Sequence, residues 1–190
     1  ILQGDYGLFY EDLAFQNKDL EDFKPDIIYI HTSFKNLKYA PLISDTAKSV
    51  EKKLKLEFNY YQEIWANVNK NYGCTVIQNN FELPINRPFG NLESTLANGT
   101  INYINKLNLQ FSEYANSNEN FLINDINYLS SWHGIEKWFS MAEWYRSKHS
   151  VSLKYLPYLC YNLSNIISAL YGKTKKGLVL DLDNTLWGGV

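Results

Sequence analysis

Residues 23–33 read FKPDIIYIHTS. The apolar run Ile27–Ile30 follows a Pro25–Asp26 start signal and stops at the polar residues His31, Thr32 and Ser33. A run this short, β-branched and bounded by polar residues fits a strand buried on both faces, as in a parallel sheet. Three more runs have the same form. Thr75–Ile77 leads into QNN, Phe121–Ile123 into ND, and Leu178–Leu180 into DLDNT.

Helical patterns fill the intervals. Val50, Leu54, Phe58, Tyr61, Trp65 and Val68 recur at three- and four-residue steps, with N-caps on offer at Ser44, Asp45 and Thr46 and a stop at Gly73. Ile101, Ile104, Asn108, Phe111 and Ala115 predict a second helix after Asn98–Gly99. Trp138 to Tyr145 predicts a third. Leu156, Leu159, Leu163, Ile166, Ile167 and Leu170 predict a fourth, closed by Gly172. Strands alternating with helices imply right-handed crossovers and a doubly wound, mostly parallel α/β sheet with flanking helices. Functional groups in such sheets gather at the carboxyl ends of the strands. That rule puts Thr32, Ser33, Asn79, Asn80 and Asp125 on one rim, with the loop PINRPFGN leaving from it. Tyr171–Gly177 is the expected boundary between residues 1–172 and a second unit opening in residues 173–190.

Composition narrows the classes. The chain has 190 residues, 45% hydrophobic and 16% aromatic, which favours an ordered globular chain. A net charge of −2 and the absence of a long basic run argue against a nucleic-acid surface. No apolar stretch reaches the roughly 18–20 residues that cross a bilayer, so no membrane partner is expected. Only Cys74 and Cys160 are present. Both read as small buried hydrophobes outside any disulfide or metal pattern. The expected setting is reducing and cytoplasmic.

The last run carries the chemistry. In LVLDLDNTLWGGV, Leu178–Leu180 delivers Asp181 to a strand end, and extended alternation points Asp183 to the same side. Two neighbouring carboxylates repel unless a cation neutralises them, and hard oxygen donors suit Mg²⁺. Both are therefore candidate metal ligands. Asp181 is the candidate nucleophile and Asp183 the group that protonates the leaving oxygen. Thr185 and Asn184 are the candidate phosphate-binding residues.

This stretch resembles the first motif of the haloacid-dehalogenase (HAD) superfamily, and more narrowly the FkbH-like subgroup. FKPDIIYI, VIQNNFELPINRPFGN, LINDINYLSSWHGIEKWF and EWYRSKHSVSLKYLP are similar to that subgroup in order and spacing. The resemblance implies an SGNH-hydrolase-like or flavodoxin-like domain followed by the first strand of a HAD Rossmann-like domain. It implies a Mg²⁺-dependent phosphatase or phosphotransferase acting on a phosphorylated small acid such as phosphoglycerate. In that reading the enzyme loads a glyceryl unit onto an acyl carrier protein, in polyketide or surface-polysaccharide biosynthesis. A HAD site also needs a downstream Ser or Thr, a Lys and a further acidic ligand, and none can follow Val190 in this chain. The chain is thus expected to be the inactive amino-terminal portion of a longer enzyme, lacking the first strand and helix of its SGNH-like domain.

SGNH enzymes also need a Ser nucleophile, an Asn oxyanion donor and a D-x-x-H pair. In QGDYG, Tyr6 stands where the Ser would be, and a phenol is a poor acyl nucleophile. Asn79 or Asn80 sits where an oxyanion donor is wanted, with its amide expected to be free. Asp125 and His133 are eight residues apart and can meet only across a turn. His31 follows a strand, Arg87 lies in the proline-flanked loop, and His149 reads as loop surface. The alternatives to the phosphatase reading are a non-catalytic recognition domain for carrier protein or substrate, and an SGNH esterase or acyltransferase.

Overall fold

The computed structural model describes residues 1–4, 7–15 and 17–173. Three parallel strands, β1 (Ile27–Ile30), β2 (Thr75–Asn79) and β3 (Phe121–Asn124), form a sheet in the order β1-β2-β3. Register pairs Tyr29 with Ile77, Ile30 with Gln78, and Asn79 with Asn124. Two helices precede the sheet, α1 (Phe9–Ala14) and α2 (Lys18–Phe23). The crossovers run through α3 (Ala47–Tyr72) and α4 (Thr100–Asn116). Because the strands are laid down side by side in one direction, right-handed crossovers put both helices on the same face. After β3 come α5 (Ile126–His133), α6 (Ile135–Trp138), α7 (Met141–Ser147) and α8 (Leu156–Leu170). The chain is thus an α/β domain with a parallel sheet flanked by helices. The Leu178–Leu180 run lies outside the described residues.

Alternation along the strands separates the faces. Ile28, Ile30, Val76 and Phe121 join Leu54, Tyr61, Trp65, Leu107 and Phe111 in the main core beneath α3 and α4. A smaller core of Ile126, Leu129, Trp138, Val151 and Leu159 sits among the later helices. Helix α3 begins and ends where its residues direct. The Thr46 side chain accepts from Ser49 N, and Gly73, at φ 62°, donates its N–H to Val68 O and Asn69 O. Glu57 is fully buried on α3, where its carboxylate accepts the backbone N–H groups of Lys38 and Tyr39. Burial raises its pKa and those two bonds oppose the rise. One buried acid thereby fixes the loop that links β1 to α3.

The predicted third helix is two elements. Phe139 is extended, and Ser140 caps α7 by accepting from Glu143 N. A residue built to start a helix ends the one before it. Cys74 is buried, but Cys160 is exposed on α8, contrary to its reading as a core residue.

Gly99, the N-cap of α4, lies tight against the chain. A Cβ there would sit 2.2 Å from Glu93 O and 2.8 Å from its carbonyl carbon, both backbone atoms. Glu93 is itself buried and accepts from Phe89 N and Ile101 N at 3.3 Å each, so it cannot retreat without breaking both. Gly99→Ala is expected to destabilise by about 1–3 kcal/mol. Urea unfolding checks this, and a midpoint equal to wild type would contradict it.

Candidate functional site

The strand ends deliver a polar network to the rim, on the face opposite α3 and α4. Asn79, the last residue of β2, is fully buried. Its Nδ2 donates to Thr32 O at 3.1 Å and meets His31 Nδ1 at 3.0 Å. Its Oδ1 accepts from the Tyr29 hydroxyl at 2.9 Å and from Asn124 Nδ2 at 2.8 Å. Asn124 Oδ1 in turn accepts from Asn162 Nδ2 of α8 at 2.7 Å. His31 Nε2 lies 3.1 Å from the buried Ser150 Oγ.

This wiring favours one imidazole tautomer. A carbonyl oxygen can only accept, so Thr32 O fixes which end of the Asn79 amide carries the hydrogens. The second amide hydrogen then points at His31 Nδ1, and the Tyr29 hydroxyl, also 3.0 Å from that nitrogen, turns its proton to Asn79 Oδ1, an arrangement that favours Nδ1 as acceptor. The proton of the neutral ring then sits on Nε2 and is donated to Ser150 Oγ. A ring in that form has no lone pair with which to deprotonate Ser150.

Electrostatics favour the same state. Desolvation by its packed neighbours, with a smaller push from nearby His149, lowers the His31 pKa, although part of the ring faces solvent. Burial pushes the Tyr29 phenol up to about 12, against the opposing hydrogen bonds from Asn124 and Asn79. The network around Asn79 is made of amides, an imidazole, a phenol and a hydroxyl. Protonating His31 would place an N–H against the Asn79 donor.

A pH dependence follows. A histidine whose pKa falls on folding gives stability that is complete above its unfolded value of about 6.5 and is lost as pH drops through the folded value. Glu82 tilts the other way. Fully buried, with Oε2 accepting from Phe34 N, it is pushed up to about 8 by desolvation, so its stabilising effect fades as pH rises toward 8. The His31 contribution must therefore be read as a difference. From about pH 7 to pH 5, Tm is expected to fall more in wild type than in His31→Gln. Parallel Tm profiles would contradict it.

The other rim residues have structural partners. Asp125 caps α5 by accepting from Tyr128 N at 2.9 Å, and it accepts from Asn80 Nδ2 at 2.7 Å. Asn80 Oδ1 accepts from Asn127 N at 3.1 Å. The Asn79 amide, expected to be free for an oxyanion, has both hydrogens taken up. Asp125 and His133 stand at opposite ends of α5, roughly 12 Å apart at the helical rise, and do not converge. His133 packs among Trp132, Trp138, Tyr155 and Tyr158. Arg87 is exposed, with Asn91 Oδ1 at 3.4 Å. Asp181, Asp183, Asn184, Thr185 and Tyr6 lie outside the described residues.

Sequence reasoning missed Tyr29, Asn124, Ser150 and Asn162. Tyr29 and Asn124 had a signal, because strand alternation and register set them on the face of Asn79. Ser150 is 119 residues from His31 and Asn162 is 38 from Asn124, so only tertiary folding pairs them. Among the described residues no group of three or more His, Cys, Asp or Glu is placed to hold a metal ion. No helix among them is long and apolar enough to cross a membrane.

No curated protein matches the sequence. The fold is similar to the crystal structure of the N-terminal part of the protein BF1531 from Bacteroides fragilis, described as containing a phosphatase domain and complexed with Mg. The TM-score is 0.82 at 24% identity, a likeness of fold, over 98% of this chain and 48% of that one. This chain spans about half the length of that structure. The family model for the FkbH N-terminal domain matches residues 1–168, and the chain belongs to that family.

Proposed function

We propose that the chain is the N-terminal part of a Mg²⁺-dependent, HAD-type phosphatase or phosphotransferase, and that residues 1–172 form its recognition domain. Phosphoryl chemistry belongs to the unit that residues 173–190 open. The observation that supports this division is the Asn79 contact on His31 Nδ1, which favours the ring form that turns its proton toward Ser150. A Ser–His pair is present, but in that form the rim can position a ligand and cannot activate a serine. This disfavours the esterase reading.

The donor set of the motif, two carboxylates separated by one residue, fits a hard cation. When bound, Mg²⁺ would supply charge neutralisation to the carboxylates and the phosphate. Asp181 would attack phosphorus as the bond to the leaving oxygen breaks. Asp183 would pass its proton to that oxygen. Thr185 and Asn184 would hold phosphoryl oxygens. A phosphorylated small acid such as phosphoglycerate is the proposed substrate. An acyl carrier protein receiving the glyceryl unit is the proposed partner, and the recognition domain would orient one of the two.

The experiment is phosphate release from phosphorylated small acids by the chain extended beyond Val190. Release in Mg²⁺ that EDTA abolishes is expected. Release unchanged by EDTA would overturn the metal-dependent reading. For the partner, acyl carrier protein is titrated against the same protein, and no binding at high micromolar concentration would remove it.

A further inference from the structure

Helix α8 is uncharged and is left largely uncovered. Its fifteen residues, LPYLCYNLSNIISAL, contain no charged side chain. Among them only Leu159 is buried. Its outward side carries uncharged Tyr158, Tyr161, Ser164 and Asn165, where a helix facing water usually carries charge. Helix α3 shows the contrast, with Lys48, Glu51, Lys52, Lys55 and Lys70 on its outer faces. On α8 the inward stripe loses cover toward the C-terminus. Leu159 is 4% exposed, Leu163 and Ile166 are half-buried, and Leu170 reaches 41%. On the outward side Tyr158 and Tyr161 are 51% and 70% exposed.

We infer that α8 is the seat of the phosphatase domain, an inference that rests on the proposed function. Two observations select this occupant over others. The matched Bacteroides structure is about twice the length of this chain, which accounts for 48% of it. The tether is also short. Leu178 is five residues beyond Lys173, so at most about 17 Å separates them, whereas α8 is about 22 Å long. A domain beginning at Leu178 cannot lie far from the uncovered half of α8. Its contact would bury Tyr161, Cys160 and the Ile166–Leu170 end of the helix, and would hold the rim beside the phosphoryl site through the Asn162–Asn124 bond.

Cys160 reports on this directly, because it is exposed on α8, while buried Cys74 serves as an internal reference. In the extended protein both thiols are labelled with iodoacetamide and read by peptide mass spectrometry, native and in urea. Native Cys160 is expected to react at least about tenfold more slowly than in urea. Tyr161→Asp should restore its labelling while Cys74 stays protected, which shows that the fold is intact. If both thiols become reactive in that variant, Tyr161→Ser replaces it under the same criteria. Wild-type Cys160 reacting at its urea rate while Mg²⁺-dependent phosphate release persists would overturn the seat and leave the proposed function standing. Protection lost on dilution would make the occupant a second copy and overturn the seat as well. Protection without phosphate release would defeat the proposed function, and with it the identity of the occupant.

Discussion

Asp181→Asn in the extended protein is expected to lower Mg²⁺-dependent phosphate release about a thousandfold or more. An amide oxygen is a far weaker nucleophile than a carboxylate, and the substitution also removes one of the two charges that would hold the cation. Losses of this size accompany removal of a covalent nucleophile. Asp183→Asn should act differently, because it would remove the proposed proton donor to the leaving oxygen and keep the proposed nucleophile. Its effect should therefore shrink for substrates with good leaving groups, while that of Asp181→Asn should not. Steady-state phosphate release on a phosphorylated small acid and on an aryl phosphate checks both. Release by Asp181→Asn within tenfold of wild type would remove the nucleophile assignment.

Trp65→Ala carries the largest expected cost in stability, about 3–5 kcal/mol. The indole packs between α3, α4 and the sheet, with ring centroids 4.4 Å from Phe121, 4.6 Å from Tyr114 and 4.9 Å from Phe111. Its Nε1 also donates to Gln78 Oε1 at 3.2 Å. Gln78 is fully buried, and its Nε2 donates to Thr32 Oγ1 and to Asn79 O. Truncation therefore opens a cavity and strips a buried acceptor of its donor next to the strand that bears the rim. Against a total stability of about 5–15 kcal/mol, that leaves a marginal domain. Trp65→Phe keeps part of the packing and should cost less. Urea midpoints at constant slope measure both. A Trp65→Ala penalty under about 1 kcal/mol would contradict the packing argument.

The parts of the fold that were legible are those where local chemistry and tertiary burial agree. Ile27–Ile30 reads as a strand because Ile28 and Ile30 are buried in the main core while Ile27 and Tyr29 are half-buried on the other face, and the polar residues after it mark where the strand ends. Thr46 and Gly73 bound α3 because the backbone groups at a helix end need partners from nearby in the chain. The same reasoning failed where one residue reversed the local trend, as Ser140 does between α6 and α7. It failed again on α8, where Cys160 was placed inside although it lies off the Leu159, Leu163 and Ile166 stripe.

The rim was legible as a location and not as a circuit. Asn79, Asn80 and Asp125 could be set at strand ends from the runs that precede them. Whether the Asn79 amide is free depends on Thr32 O and His31, which reach it across the β1–β2 pairing. The direction of the Ser150 hydrogen bond depends on that amide in turn. A reading by spacing alone sees a histidine and an asparagine, and which hydrogens they exchange depends on a carbonyl one strand away.

The division of labour between rim and motif meets its most direct test in ester turnover. Hydrolysis of short-chain aryl esters is followed for wild type and Ser150→Ala. Turnover at the buffer rate in both is expected, since His31 presents a proton and not a lone pair to Ser150. Turnover by wild type that Ser150→Ala abolishes would make the rim a catalytic centre and contradict the recognition role.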